Sequence, residues 1–421
     1  LVNAIDVAII GAGPYGLSIA AHLGHANVSY RIFGSTMGAW KHRMPPGMLL
    51  KSHAWSSSLY DPNGELTLEA YCAQHALPYH ASDIPVPLET FVAYGEAFQK
   101  QFVPDVENRE LIRLNWTGAA FHAVFQDGES IYAKRVIIAV GIHHFAYMPP
   151  QLSNYSPELV SHSGVYGPLE RLVGKQVIIV GAGASASGLA ALASEMGAEV
   201  SIVARDSELP FPRLPRESRS LLRRLVRPLR HLVYPKSGIG GTWLLKICAD
   251  TPQIIHALPD ALRLHIARTA LGPSGHSNLR SRVIGKVPTH LGRSLHSAIA
   301  ENGRIRLKIA APDGSTESLE ADHVIAATGF RPEVSRLAFL RPLLSGIKTE
   351  QGTPRLTSGY ESSVPGLYFV GPITANSFGP VARFAYGAVH PARTITAHAC
   401  EAPATHSVAV PLTAHIEPTK N

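Results

Sequence analysis

Two stretches of this chain run almost wholly apolar and then break on glycine: Ile5–Ile10 before Gly11, and Gln176–Val180 before Gly181. Short β-branched runs of this kind predict strands buried on both faces, as in a parallel sheet. An Ala- and Leu-rich stretch follows each glycine cluster, residues 17–23 and 188–196, and predicts a helix. The alternation continues. Second strands are predicted at residues 29–33 and Glu199–Val203, and further strands at 135–140, 305–309, 323–327 and 366–370. Residues 66–75 and Leu88–Phe102 read as helices, the latter opened by Pro87 with Glu89 in its first turn, and the apolar stretch 381–388 fits a helix as well. Strands alternating with helices predict an α/β chain.

The glycine clusters are Gly11-Ala12-Gly13-Pro14-Tyr15-Gly16 and Gly181-Ala182-Gly183-Ala184-Ser185-Ala186. A string of this form is a weak signal alone. Placed between a strand and a helix, it allows a tight turn and close backbone approach, so that a pyrophosphate rests on the positive end of the helix. Two such turns predict two dinucleotides and two Rossmann-like dinucleotide-binding domains. The order of elements predicts one domain inserted into the other: residues 1–172 and 319–401 form the first, residues 173–318 the second. Pro149-Pro150 marks a hinge between them, and Asp313-Gly314 a turn. Residues 205–282 interrupt the second unit, and 402–421 form a Pro-, Thr- and Ala-rich tail expected to be poorly ordered.

The residues just past each second strand distinguish the two turns. Arg205 stands where the adenosine ribose of a dinucleotide lies, and a guanidinium there can grip a 2′-phosphate, favouring NADPH. Asp206 beside it leaves the NADH reading open, as does the reading of Arg205 as an ordinary loop residue. In the first unit the same place is Gly34, where a carboxylate for a flavin dinucleotide's ribose is absent; Ser35 is the nearest substitute. Trp40, after Gly38, either packs on a flavin or fills the core.

Composition removes several classes of function. The 421 residues are 45% hydrophobic and 16% charged, which suits a globular enzyme. Anionic cofactors account for part of the net charge of +7, and no nucleic-acid-binding signature accompanies it. Cys72, Cys248 and Cys400 are far apart, which argues against a disulfide scaffold and against a redox-active dithiol. The 21 histidines are dispersed, and His143-His144 lacks metal-site spacing, so no metal is assigned. The first strand begins near residue 1 and no apolar run reaches spanning length; a cytoplasmic protein is expected.

Taken in order, these residues resemble the class B flavoprotein monooxygenases, which include flavin-containing monooxygenases, Baeyer–Villiger monooxygenases and lysine/ornithine N-hydroxylases. The matches are both glycine turns, Gly38-x-Trp40, Gly181-x-Gly183-x-Ser185-Ala186, Ala327-Thr328-Gly329 closing a strand, and Gly366-Leu367-Tyr368-Phe369-Val370-Gly371. The family's linker fingerprint is half present: His162 and Tyr166 fit, whereas Ser156 and Glu158 replace its phenylalanine and first glycine. The chain is most similar to a short relative of the N-hydroxylase branch.

The resemblance implies FAD at the first turn and NADPH at the second, hydride transfer between them, capture of molecular oxygen as a peroxyflavin, and oxygenation of a small amine, sulfide or ketone. It implies cofactor contacts from Gly11, Ala12, Gly13, Pro14, Tyr15, Gly16, Ser35, Trp40 and Gly371, and from Gly181, Gly183, Ala184, Ser185, Arg205, Thr328 and Gly329. It brings Lys51, Ser52 and Asn376 to the flavin as catalytic candidates. Two other readings stay open: a reductase passing electrons to a protein or quinone partner, and a slow nucleotide-binding redox sensor. The basic, leucine-spaced segment 213–236 reads chiefly as solvated surface or a subunit interface of a homo-oligomer, and to a lesser extent as a membrane-docking helix.

Overall fold

A computed structural model describes residues 4–81, 84–165, 169–211, 243–272, 275 and 277–401. The segment 213–236, Tyr166 and the tail 402–421 lie outside the described residues.

The first sheet gathers β1 (Ile5–Ile10), β2 (Tyr30–Phe33), β3 (Val106–Glu107), β4 (Leu111–Trp116), β5 (Phe121–Phe125) and β6 (Ser130–Ile138) in the order β3-β2-β1-β6-β5-β4. Pairing is parallel from β3 to β6 and antiparallel through β5 and β4. The second sheet draws on β7 (Val160–His162), β8 (Gln176–Val180), β9 (Glu199–Val203), β10 (Thr289–His290) and β14 (His323–Ala326), ordered β10-β9-β8-β14-β7 and parallel throughout. Before β14 come β11 (Ser294–Glu301), β12 (Arg304–Ala310) and β13 (Thr316–Ala321), an antiparallel sheet of their own. A ribbon of β15 (Thr349–Glu350) and β16 (Thr353–Pro354) comes next, and then β17 (Leu367–Phe369) returns to pair with β6 of the first sheet.

The apolar runs are continuous because both faces of each parallel sheet are covered. From β1, Val7 and Ile9 pack on the side of helices Pro14–His25 and Leu88–Phe102, while Ala8 and Ile10 pack toward β4, β5 and the turns around Phe339. In β8, Val177 and Ile179 meet helix Ala184–Glu195, and Ile178 and Val180 meet β12. One domain is therefore inserted into the other, as the order of elements implies. At its junctions with the first domain, β7 and β14 both hydrogen-bond into the second sheet.

Other local differences have physical reasons. Residues 381–388 form two 3-10 turns, Pro380–Arg383 and Ala385–Ala388, because Pro380 and Gly379 (φ 90°) hold the chain in a turn; the helix begins only at Val389–Glu401. Within 205–282 the described part holds helices Trp243–Asp250, Pro252–His256, Asp260–Thr269 and Arg280–Val283.

The domains are stitched where the chain crosses between them. Tyr147 donates its N–H to Gly329 O at 3.0 Å, Arg331 donates to Phe145 O at 2.7 Å, and the Thr328 hydroxyl donates to Tyr147 O. The Arg331 guanidinium lies 3.4 Å from the centre of the Tyr147 ring, a close cation–π contact. His162 pins the same turn. Its Nδ1 accepts from Gly164 N–H at 2.9 Å, so Nε2 carries the proton and donates to Gly329 O at 3.0 Å.

Burial lowers the pKa of His162, and it does the same for His22, His323 and His390. The unfolded chain takes up these protons near 6.5, whereas the folded chain takes them up only at lower pH, so acid favours the unfolded state. We expect full stability above pH 6.5 and a progressive loss below it. Urea midpoints measured on either side of that value check this; a midpoint that does not change, or that rises in acid, contradicts the assignment.

Candidate functional site

The two glycine turns are built alike. Gly11 N–H donates to Phe33 O at 2.7 Å and Gly181 N–H to Val203 O at 2.9 Å, so each turn crosses the end of its own second strand. A Cβ on Gly11 would stand 2.3 Å from Ala139 O, and one on Gly181 would stand 2.2 Å from Ala327 O. Both residues also have positive φ, at 116° and 142°. Gly16 is closed in as well: its Cβ would meet Gly11 O at 1.8 Å, while in the second turn the buried Ala186 stands in its place. The middle glycine of the first turn is different. A Cβ on Gly13 would find nothing within 4 Å, and Gly13 and Gly183 each cap a helix of 12 residues, Pro14–His25 and Ala184–Glu195. Open space over a helix N-terminus between two packed glycines fits a pyrophosphate in the first turn, and the second repeats the packed first glycine and the capped helix N-terminus.

The cofactor candidates fall into groups. Pro14 takes the first helical position, where its missing N–H costs nothing. Tyr15 turns inward: its hydroxyl donates to Ala382 O at 2.8 Å and Phe384 O at 3.1 Å, and burial pushes its pKa far up. It packs beside Gly371, where β17 ends, and so ties the first turn to the C-terminal loop. Ala12 O accepts from Met37 N–H at 2.9 Å, which fixes the Trp40 turn to the glycine turn. Gly34 has φ 121°, and its Cβ would stand 3.5 Å from Ala12 N; Ser35 next to it is exposed. Arg205 is exposed past the end of β9.

Two cavities meet between the domains. The larger, about 970 Å³, is lined by Gly183, Ala184 and Ser185 from the second turn, by Thr328, Gly329 and Phe330, and by Pro372 and Asn376 from the first domain. The smaller, about 360 Å³, is bounded by Trp40, Met48, Leu50, Phe91 and Leu189, with Ser52, His143 and Ser163 among its polar residues. Lys51, Ile142, Ala184, Ser185, Phe330, Arg383 and Phe384 line both. The fold thus brings together Trp40, Lys51, Ser52, Ala184, Ser185, Thr328, Gly329 and Asn376. Gly11 to Gly16, Ser35, Gly181, Arg205 and Gly371 border neither cavity.

Trp40 is half-buried and meets Phe91 edge-on, with ring centres 4.8 Å apart, while part of it faces the smaller cavity. Asn376 donates from Nδ2 to Thr353 Oγ1 at 3.1 Å, leaving its carbonyl oxygen for a ligand. The Thr328 hydroxyl is already spent on Tyr147, so what Thr328 and Gly329 offer the cleft is backbone. Lys51 Nζ lies 3.4 Å from Gly272 O, and desolvation of its ammonium lowers its pKa although the stem touches solvent. Arg383 donates to Ala267 O at 2.7 Å and is likewise lowered by desolvation. His143 is pushed down to about 3 by burial, by His144 and by Arg43, and so is neutral.

Sequence reasoning passes over Arg43, His143, Ser163, Phe330 and Arg383. The His143-His144 pair raises only the question of a metal, and among the described residues no cluster could hold a metal ion. The remaining signal is adjacency: Ser163 is next to His162, and Phe330 is next to Gly329.

Over residues 5–228 the chain matches the pyridine nucleotide-disulphide oxidoreductase family. It belongs to that family. The chain is also 26% identical over 411 residues to the indole-3-pyruvate monooxygenase YUCCA4 of Oryza sativa subsp. japonica, covering 88% of this chain and 83% of that protein. Its fold is that of the ornithine N-hydroxylase of Kutzneria sp. 744, with a TM-score of 0.74 at 14% identity over 94% of this chain and 99% of that one. The bacillithiol disulfide reductase of Staphylococcus aureus has the same fold, with a TM-score of 0.63 at 15% identity over 94% and 98%. The sequence resemblance to class B monooxygenases agrees with the first, and with the hydroxylase and the reductase the chain shares the fold alone. The disulphide of the family's name has no counterpart here, since all three cysteines are free and Cys72 and Cys248 are buried. No helix among the described residues is long and apolar enough to cross a membrane.

Two substitutions separate the packed glycines from the open one. Gly181→Ala forces a side chain onto Ala327 O and should cost about 1–3 kcal/mol of stability. Gly13→Val has free space and an ordinary φ of −91°, so the melting midpoint of its flavin-free form should hold. Its affinity for FAD should nevertheless fall by about tenfold or more. Calorimetric melting of both variants and flavin titration of Gly13→Val check this; an unstable Gly13→Val that still binds FAD contradicts it.

Proposed function

We propose that this protein is an FAD-containing, NADPH-dependent monooxygenase that oxygenates a small molecule. The observation that carries the reading is the pair of like-built turns on two sheets whose domains meet over a cleft with an apolar annex. FAD supplies the redox chemistry when bound, accepting hydride from NADPH and activating oxygen.

The chain's own work is positioning and exclusion of water. Gly13 and the N-terminus of helix Pro14–His25 hold the FAD pyrophosphate, and Gly183 with Ala184 and Ser185 holds that of NADPH. Arg205 takes the 2′-phosphate, and Ser35 gives the flavin ribose a weaker partner than a carboxylate. Lys51, Ser52 and Asn376 face the reacting region, where Asn376 accepts through its free carbonyl oxygen. The apolar walls from Trp40, Leu50, Phe91 and Phe330 keep water from the oxygen-transfer step. The monooxygenase name of the YUCCA4 relative supports oxygenation over simple electron transfer, although the fold is shared with a reductase.

Reduction of the yellow protein with NADPH, followed by mixing with oxygen and substrate, should consume NADPH with less than stoichiometric peroxide. Direct return to oxidised flavin with full peroxide release, together with fast turnover on quinones, would replace this reading by the reductase. Arg205→Ala should raise KM for NADPH about tenfold, or about 1.4 kcal/mol, and leave KM for NADH nearly unchanged. Equal effects on both nucleotides rule out the 2′-phosphate role.

A further inference from the structure

The smaller cavity is a chamber whose lining, among the described residues, includes Arg43, Lys51, Arg282 and Arg383 and no aspartate or glutamate. Arg282 is already neutralised, its Nε and Nη2 meeting the two oxygens of Glu195 at 2.8 and 2.6 Å. Lys51 and Arg383 also line the larger cleft and stand along the nucleotide path. Arg43 remains. It is half-buried, it borders the smaller chamber and not the larger one, and among the described residues it makes no ion pair. Its charge reaches both neighbouring imidazoles, His143 and His144.

Two polar atoms in the same chamber also lack partners. Ser163, only 4% exposed, has an Oγ with no hydrogen bond, and His143 Nδ1 has none. Native proteins seldom leave such groups unmatched, so a buried hydroxyl and a neutral imidazole beside an apolar space point to a ligand with polar atoms of its own. An ammonium group entering here would meet like charge and, among the described residues, no carboxylate on the wall.

We propose that the chamber is the substrate site and that it takes an apolar acid: a carboxylate on an aromatic or aliphatic body, held by Arg43, with further polar atoms at Ser163 Oγ and His143 Nδ1. As a substrate assignment this rests on the oxygenase reading above. It favours an acid over a cationic amine.

The test is isothermal titration of the oxidised, flavin-loaded protein, without NADPH, using phenylacetate, phenylacetamide and phenethylamine. Phenylacetate should bind about tenfold tighter than the amide or better, with the amine weakest. Arg43→Gln should bring phenylacetate down to the affinity of the amide and leave the amide unchanged, while Arg43→Lys, which keeps the charge, should preserve the order of preference. A tightest-binding amine, equal binding of acid and amide, or an Arg43→Gln variant that weakens all three alike overturns the proposal. Should Arg43→Gln fail to fold, inverted preference in Arg43→Lys has the same force. NADPH-dependent oxygen uptake is measured separately, so failure of the oxygenase reading is told apart from failure of the anion preference.

Discussion

A contact between a glycine α-carbon and a neighbouring strand's carbonyl governs both halves of this molecule. Gly11 sits so close to Ala139 O, and Gly181 to Ala327 O, that neither position has room for a Cβ. That closeness lets β6 and β14 end level with the turns they abut, so the segments leaving them start beside a phosphate-binding loop. Residues 139–147 then run outward and carry His143 to the chamber, and 327–331 carry Phe330 there. The two segments bond to each other through Tyr147, Gly329, Phe145 and Arg331. The backbone approach that makes the turns therefore also builds the wall between the domains.

The second consequence is electrostatic. Each turn offers N–H groups and a helix N-terminus, both favourable to anions. The side chains around the cleft extend the same bias, because Lys51 and Arg383 face it and, among the described residues, have backbone carbonyls and no carboxylate bonded to them. Desolvation lowers the pKa of both, which registers the cost of holding a cation in a partly closed space. A dinucleotide phosphate or a carboxylate offsets that cost where water only partly does. The net charge of +7 thus has a local meaning around the cleft.

The longer parallel strands and both turns were legible in the sequence because their signals are local: a buried strand must be apolar on both faces, and the turns need glycine at fixed spacing; the two- and three-residue parallel strands β3, β7 and β10 are too short to carry that signal. The antiparallel strands β4, β5 and β11 to β13 were not, apart from the 305–309 run. Their residues alternate between buried and exposed positions, and that alternation is diluted by charged residues such as Arg306 and Lys308 on the outer face. The cofactor turns could be named from spacing alone, but the chamber could not. Arg43, His143, Ser163 and Phe330 come from four separate segments and converge only after the domains pack. Tyr15 shows the converse. Its place inside a glycine motif suggests a ligand contact, yet its hydroxyl is used to fasten Ala382 and Phe384.

The cysteines bear on where electrons can go. In a disulphide-reducing flavoenzyme they leave through a nearby dithiol, and that exit requires two thiols able to approach each other and ionise. Cys72 and Cys248 are buried, and burial raises the pKa of both, that of Cys248 to about 11. Cys248 lies against Gly379 and Ile255 in an apolar cluster, where it behaves as a small hydrophobic residue. Cys400 is exposed near the end of helix Val389–Glu401, far in sequence from either. None of the three is paired, so none forms a disulfide beside the cleft. The enclosed apolar chamber beside the nucleotide cleft suits oxygen and an organic molecule better than a bulky protein partner, and that is the physical ground for reading the cleft as an oxygenase site.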